Sequence, residues 1–116
     1  MVKAYVSAYV PDRGDVVWIN FTPQAGHEQA GHRPALVLSP ATYNVKSGLM
    51  LCCPATGQVK GYPFEVALGD GAGIRGVVLA DQVKSVAWRA RRAKRKGMAS
   101  ADVMQQVMAR IHALLD

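Results

Sequence analysis

Residues 22–34 read TPQAGHEQAGHRP and gather His27, Glu28, Gln29, His32 and Arg33 within one short polar stretch. These residue types suit the cleavage of a phosphodiester in RNA. RNA carries its own nucleophile, the 2′-OH, so a protein need supply only three things. These are help in removing that hydroxyl proton, positive charge for the developing phosphorane, and a proton for the departing 5′-oxygen. An arginine meets the need for charge, because its planar fork bonds two phosphate oxygens at once. With a pKa above about 12 it is a poor general base. Histidine is the usual acid–base group where one is at hand. His32, however, sits beside Arg33 in a tight turn, where hydrogen bonding within the loop is the expected role and proton transfer the second. A polar loop of this length inside a compact domain is often functional. Taken alone, the stretch reads first as a solvated hairpin loop.

A second stretch, residues 54–63, reads PATGQVKGYP and follows an apolar run. By itself Thr56 there needs no more than a turn role, satisfying nearby backbone. Several other chemistries are excluded at the level of motif. The chain has no HExxH, no phosphate-binding P-loop, no dinucleotide glycine pattern and no GxSxG. Its acidic residues are scattered, with no set spaced to hold a magnesium pair. No metal and no cofactor is therefore expected.

Charge is distributed unevenly. The formal net charge is +6, and residues 89–96 (RARRAKRK) hold six basic side chains and no acid. The other eight basic residues balance the eight acidic ones, so the whole excess lies in one segment. Such a patch attracts polyanions, of which nucleic acid is the commonest in a cytosol. A solvated basic loop is the equal alternative.

The elements that would position these residues are mostly strands. With 116 residues, half of them hydrophobic, the chain reads as one domain, residues 1–116, with one modest core. Apolar and β-rich runs at 15–21, 34–39, 49–53, 62–68, 76–80 and 83–88 are separated by Gly- and Pro-rich turns, the pattern of a small barrel or sandwich. Along the first run, Val16, Trp18 and Asn20 share one face and Val17, Ile19 and Phe21 the other. Trp18 and Trp88 read as core. From Val103 the apolar residues fall at helical spacing, with Ser100 as cap and Asp102 in the first turn. His112 on that helix reads as a structural or surface residue. Cys52 and Cys53 are adjacent, a spacing that rarely forms a bridge, and read as reduced thiols, one buried and one outward. The N-terminus has no long apolar run, so neither a signal peptide nor a membrane span is expected, and the location expected is cytoplasmic.

Several separate blocks together resemble one known family. EQAGHRPA at 28–35, VLSP at 37–40, Tyr43-Asn44, KGYPFE at 60–65, LADQVKS at 79–85 and WRA at 88–90 occur in the order found in MazF/PemK toxins. The resemblance runs from about Tyr9 to about Lys96. It implies a mainly β fold with short helices, an SH3-like small β-barrel with a C-terminal helix, acting as a homodimer. It implies a sequence-specific, metal-independent endoribonuclease that cuts single-stranded RNA, usually messenger RNA, to 2′,3′-cyclic phosphate and 5′-OH ends. It also implies a cognate antitoxin whose tail occupies the RNA groove. The family's arginine falls on Arg33, its threonine on Thr56 and its glutamate on Glu28. Arg33 would stabilise the phosphorane, Thr56 would position the scissile phosphate, and Glu28 would assist deprotonation. Gln29, His32, Lys60, Arg89 and Arg91 are the candidate RNA contacts. Where family members often carry a second hydroxyl after the threonine, this chain has Gly57.

Two other classes remain as alternatives. A toxin of the same fold that poisons gyrase, as CcdB-like proteins do, would need no Arg–Thr pair. A non-catalytic RNA-binding barrel would use the basic segment but leave the polar loop without a purpose. Single-stranded RNA binders favour exposed aromatics, and aromatics are 7% here. Tyr43 and Tyr62 are the candidate platforms.

Overall fold

Strand β1 (Asp15–Asn20) is buried from both sides, and this double burial organises the fold. The computed structural model describes residues 9–21 and 31–116. In it β1 pairs antiparallel with β2 (His32–Val37), which pairs with β3 (Leu49–Thr56). Between β2 and β3 lies the helix α1 (Ala41–Ser47). Then follow β4 (Glu65–Ala67), β5 (Val77–Leu79), β6 (Lys84–Ala87), β7 (Lys94–Met98) and the helix α2 (Ala101–Leu115). The seven strands form one antiparallel sheet in the order β4-β5-β3-β2-β1-β7, with β6 also on β3. This is the expected mainly β, α+β fold. Among the described residues the pairings run from β4 to β7 without closing into a ring.

Successive side chains on a strand point to opposite faces, and here each face has its own core. Val16, Leu36, Cys53, Ala55 and Val78 pack under α2 through Val103, Met104, Val107 and Ile111. Val17, Ile19, Ala35, Val37, Met50 and Cys52 pack on the other side with Trp88. The two cysteines therefore differ from the expectation of one in and one out: both are buried, one in each core. Burial pushes each thiol up to about 12. A thiol so rarely ionised is a poor nucleophile.

Helix α2 starts where the sequence places it, with the Ser100 hydroxyl accepting from the Val103 amide at 3.1 Å. Helix α1 and strand β7 have no counterpart in the sequence reading. Helix α1 inverts the usual pattern. Tyr43 and Val45 face outward, and its buried residue is Asn44. That amide is fully bonded: Nδ2 donates to the Pro11 and Ser39 carbonyls at 2.7 and 3.0 Å, and Oδ1 accepts from the Ser39 hydroxyl at 2.6 Å. The Asn44 carbonyl accepts from Trp88 Nε1 at 2.8 Å, tying α1 to the second core. Strand β7 is the second half of the basic run. Lysines and arginines on a sheet edge are a common guard against further pairing; β7 joins β1 through its backbone ladder and through Arg95, whose Nε lies 3.6 Å from the Asp15 carboxylate.

Candidate active site

Two of the residues singled out in the sequence lie on adjacent antiparallel strands. Strands β2 and β3 pair as Val37↔Cys52, Leu36↔Cys53 and Ala35↔Pro54. The pairing ends there: Arg33 lies two residues beyond Ala35 on β2 and Thr56 two residues beyond Pro54 on β3, each on a neighbouring strand of the one sheet. The two are 23 positions apart in the chain, and no periodicity within either segment announces the pairing. Arg33 is half-buried and lies across from Ile19 of β1. Thr56, the last residue of β3, is 6% exposed. Its Oγ1 accepts a hydrogen bond from the Gln58 amide at 3.1 Å. A hydroxyl has one proton and two lone pairs. With one lone pair held by Gln58, the Thr56 O–H is left to act as a donor.

Thr56 opens onto a pocket of about 340 Å³ whose walls include Lys60, Tyr62, Glu65, Asp81 and Gln82. The loop bearing Lys60 is latched by one carboxylate. Glu65 accepts from the Lys60 amide at 3.1 Å and from the Gly61 amide at 2.9 Å. The far side of the same turn is held by α2, where Arg110 Nε donates to the Pro63 carbonyl at 3.0 Å. Tyr62 is 61% exposed at the rim. Glu65, Asp81 and Gln82 were given no role in the sequence reading. They lie inside the recognised blocks KGYPFE and LADQVKS, but their convergence depends on β4 and β5 pairing beside Thr56.

The other candidates are dispersed. His32 is exposed, and as the neighbour of Arg33 on a strand it points to the opposite face. There its ring stacks on Trp18 at 6.4 Å between centroids, with an interplanar angle of 25°. Trp18 is thus not core as expected but half-buried, with Lys96 Nζ 6.0 Å from its ring centre. Helix α2 covers Val16 on that face but not the end of the strand. Arg91 is half-buried and donates to the Asn20 carbonyl at 2.8 Å, which holds it at the end of β1. Arg89 lies over the Trp88 ring at 4.1 Å, with its guanidinium against Gly48 at the start of β3. Thr56 is at the other end of that strand, about 26 Å from Gly48 at roughly 3.3 Å per residue. His27, Glu28 and Gln29 lie outside the described residues.

Residues 12–115 match the model of the family described as PemK-like, MazF-like toxins of type II toxin–antitoxin systems. The chain belongs to this family. It is 57% identical to the endoribonuclease toxin MazF of Escherichia coli (strain K12) over 110 residues, covering 95% of this chain and 98% of that one. To the E. coli endoribonuclease toxin ChpB it is 41% identical, over 90% of this chain and 94% of that one. The crystal structure of Deinococcus radiodurans MazF superposes with a TM-score of 0.90 at 58% identity, covering 93% and 98% of the two chains. A MazE–MazF crystal structure from the same organism superposes with a TM-score of 0.82 at 51% identity, covering 93% and 98%. The family match spans both segments, so Arg33, Thr56 and the pocket lie inside the region the relatives share.

Proposed function

We propose that this protein, a MazF-like endoribonuclease toxin of a toxin–antitoxin pair, cuts single-stranded messenger RNA at short specific sequences without a metal ion. The products are a 2′,3′-cyclic phosphate and a 5′-OH. The observation that carries this reading is the buried Thr56, its hydroxyl oriented by the Gln58 amide, lining one pocket with Lys60 and Tyr62 at the end of a strand whose neighbour carries Arg33. In this reading the 2′-OH attacks the adjacent phosphorus while Glu28 assists removal of its proton, and the P–O5′ bond breaks as the departing 5′-oxygen takes a proton from water. Arg33 bonds the equatorial oxygens as negative charge builds on them, where a fixed cation is worth most. The Thr56 hydroxyl donates to the same phosphate and holds it in line. Lys60 supplies further charge along the backbone, and Tyr62 a face for a base to stack on.

The basic segment, through Arg89 and Arg91, extends the attraction for RNA and for the acidic tail of an antitoxin. The two ligands then compete for one surface. The MazE–MazF complexes of D. radiodurans support an antitoxin partner. A homodimer is supported by outward apolar side chains on β3 and just before β6: Leu49, Leu51 and Val83 are 38%, 40% and 42% exposed. Exposed apolar patches on a monomer mark contact surfaces. The protein acts in the cytoplasm, where its substrate is. No helix among the described residues is long and apolar enough to cross a membrane.

The test is incubation with a long single-stranded RNA in EDTA, followed by mapping of the fragment ends. Discrete cuts with cyclic-phosphate and 5′-OH ends, lost in Thr56→Ala, are expected. Intact RNA from folded, antitoxin-free protein would overturn the reading and favour a binding module or a gyrase poison.

A further inference from the structure

Strand β5 meets β3 at its very end, through Ala55↔Val78 and Thr56↔Val77. The residue before β5, Gly76, then faces the peptide group that follows Thr56. Its φ is +132°, a region that side-chain-bearing residues rarely enter. A Cβ built on Gly76 would overlap the Thr56 carbonyl oxygen, come 2.9 Å from the carbonyl carbon and 3.2 Å from the Gly57 Cα. All three contacts are backbone, so no flexible side chain can give way. On its other side Gly76 is fixed, its carbonyl accepting from the Leu68 amide at 3.0 Å.

From this we infer that Gly76 is a positioning residue for the reaction, setting the peptide plane between Thr56 and Gly57 and through it the Thr56 hydroxyl. The inference rests on the catalytic reading of Thr56. Residues 56–58 form one tight unit, because the Gln58 amide that holds Thr56 Oγ1 is only two residues on. Displacing the Thr56 carbonyl turns that peptide plane, carries the Gln58 amide with it and releases the hydroxyl from its single orientation. A shift of about 1 Å in a reacting geometry costs on the order of a hundredfold in rate.

A matched control lies within the same fold. Gly73 also has positive φ, +85°, and a Cβ there would overlap the Lys96 carbonyl oxygen and come 3.0 Å from its carbon. It makes a similar backbone clash but does not touch residues 56–58.

The experiment measures kcat and KM for a short RNA substrate in Gly76→Ala, Gly73→Ala, Thr56→Ala and the double variant Gly76→Ala/Thr56→Ala. Circular dichroism checks the fold of each. The expected result is a fall in kcat of about a hundredfold in Gly76→Ala with KM little changed. Gly73→Ala keeps its kcat, and Gly76→Ala costs nothing further once Thr56 is already alanine. An unchanged kcat in folded Gly76→Ala, or an equal further loss in the Thr56→Ala background, would overturn the inference. If Gly76→Ala is poorly folded, the comparison is made in concentrated sucrose, which favours the folded state. A Thr56→Ala enzyme with full activity would instead remove the catalytic reading, a failure distinct from that of the positioning role.

Discussion

The carboxylate of Glu65 offers a test in which the sign of the effect separates two explanations. It lines the pocket beside Thr56, and it also accepts from the amides of Lys60 and Gly61. If it only faced the substrate, its negative charge would repel RNA, and removing it would tighten binding. If it latches the loop, removing it frees Lys60 and weakens binding. A hydrogen bond to a charged group contributes about 1.5–3 kcal/mol, which puts the two bonds together at about 3–6 kcal/mol. The loop is exposed, however, and water takes up both amides once the latch opens. A net loss of about 1.4 kcal/mol in the binding-competent population is the reasonable share, equal to about a tenfold change in affinity. Glu65→Ala is therefore expected to raise KM about tenfold and to leave kcat nearly unchanged, because β3 and Thr56 do not depend on the latch. The assay is steady-state cleavage of a short fluorogenic RNA, with melting measured in parallel. A lower KM, or a collapse of kcat at constant KM, would refute the latch.

Further outcomes follow from other parts of the structure. Arg33→Ala should lower kcat/KM by about 10³-fold, the scale of losing a charge-stabilising donor, while melting changes little; full activity in the folded variant would sink the assignment. Gly57→Thr should fold normally, with stability within about 0.5 kcal/mol of the parent, since a Cβ there meets nothing within 4 Å; end mapping of its RNA products would then read whether a second hydroxyl changes the sequence cut. Both cysteine thiols are pushed up from 9.0 to about 12 by burial. The folded state thus keeps protons that the unfolded state loses, so stability should fall as pH rises through the window from about 9 to about 12; flat stability in denaturant titrations across that window would contradict it. For the same reason alkylation near pH 8 should run about a thousandfold slower in the native protein than in the unfolded chain, as mass spectrometry can follow.

The parts of the fold that the sequence announced are those with a regular pattern. The apolar stripe of α2 and its Ser100 cap are of that kind, as are the β-rich runs that became β1, β2 and β3. Helix α1 went unseen because its one buried residue is polar, and β7 because a strand of lysines and arginines carries no alternation. Two-sided burial of the sheet was equally silent. A neighbouring pair such as Cys52 and Cys53 reads as inside and outside unless both faces are known to be covered. In the site, Arg33 and Thr56 came from family resemblance, and their lying on neighbouring strands follows only from the pairing of β2 with β3. Glu65, Asp81 and Gln82 converge only after β4 and β5 have paired.

Strand β3 has neighbours on both edges: β2 on one, β6 and then β5 on the other. A slip of one residue would send every side chain of a strand to the wrong face, and with partners on both sides β3 has nowhere to slip. Thr56, at its end, shares that constraint. The site is therefore expected to be lost with the sheet rather than by a slip of β3 within it. Its activity should vanish in step with the sheet, so that a cell holding a destabilised copy contains a mixture of fully armed and wholly silent molecules.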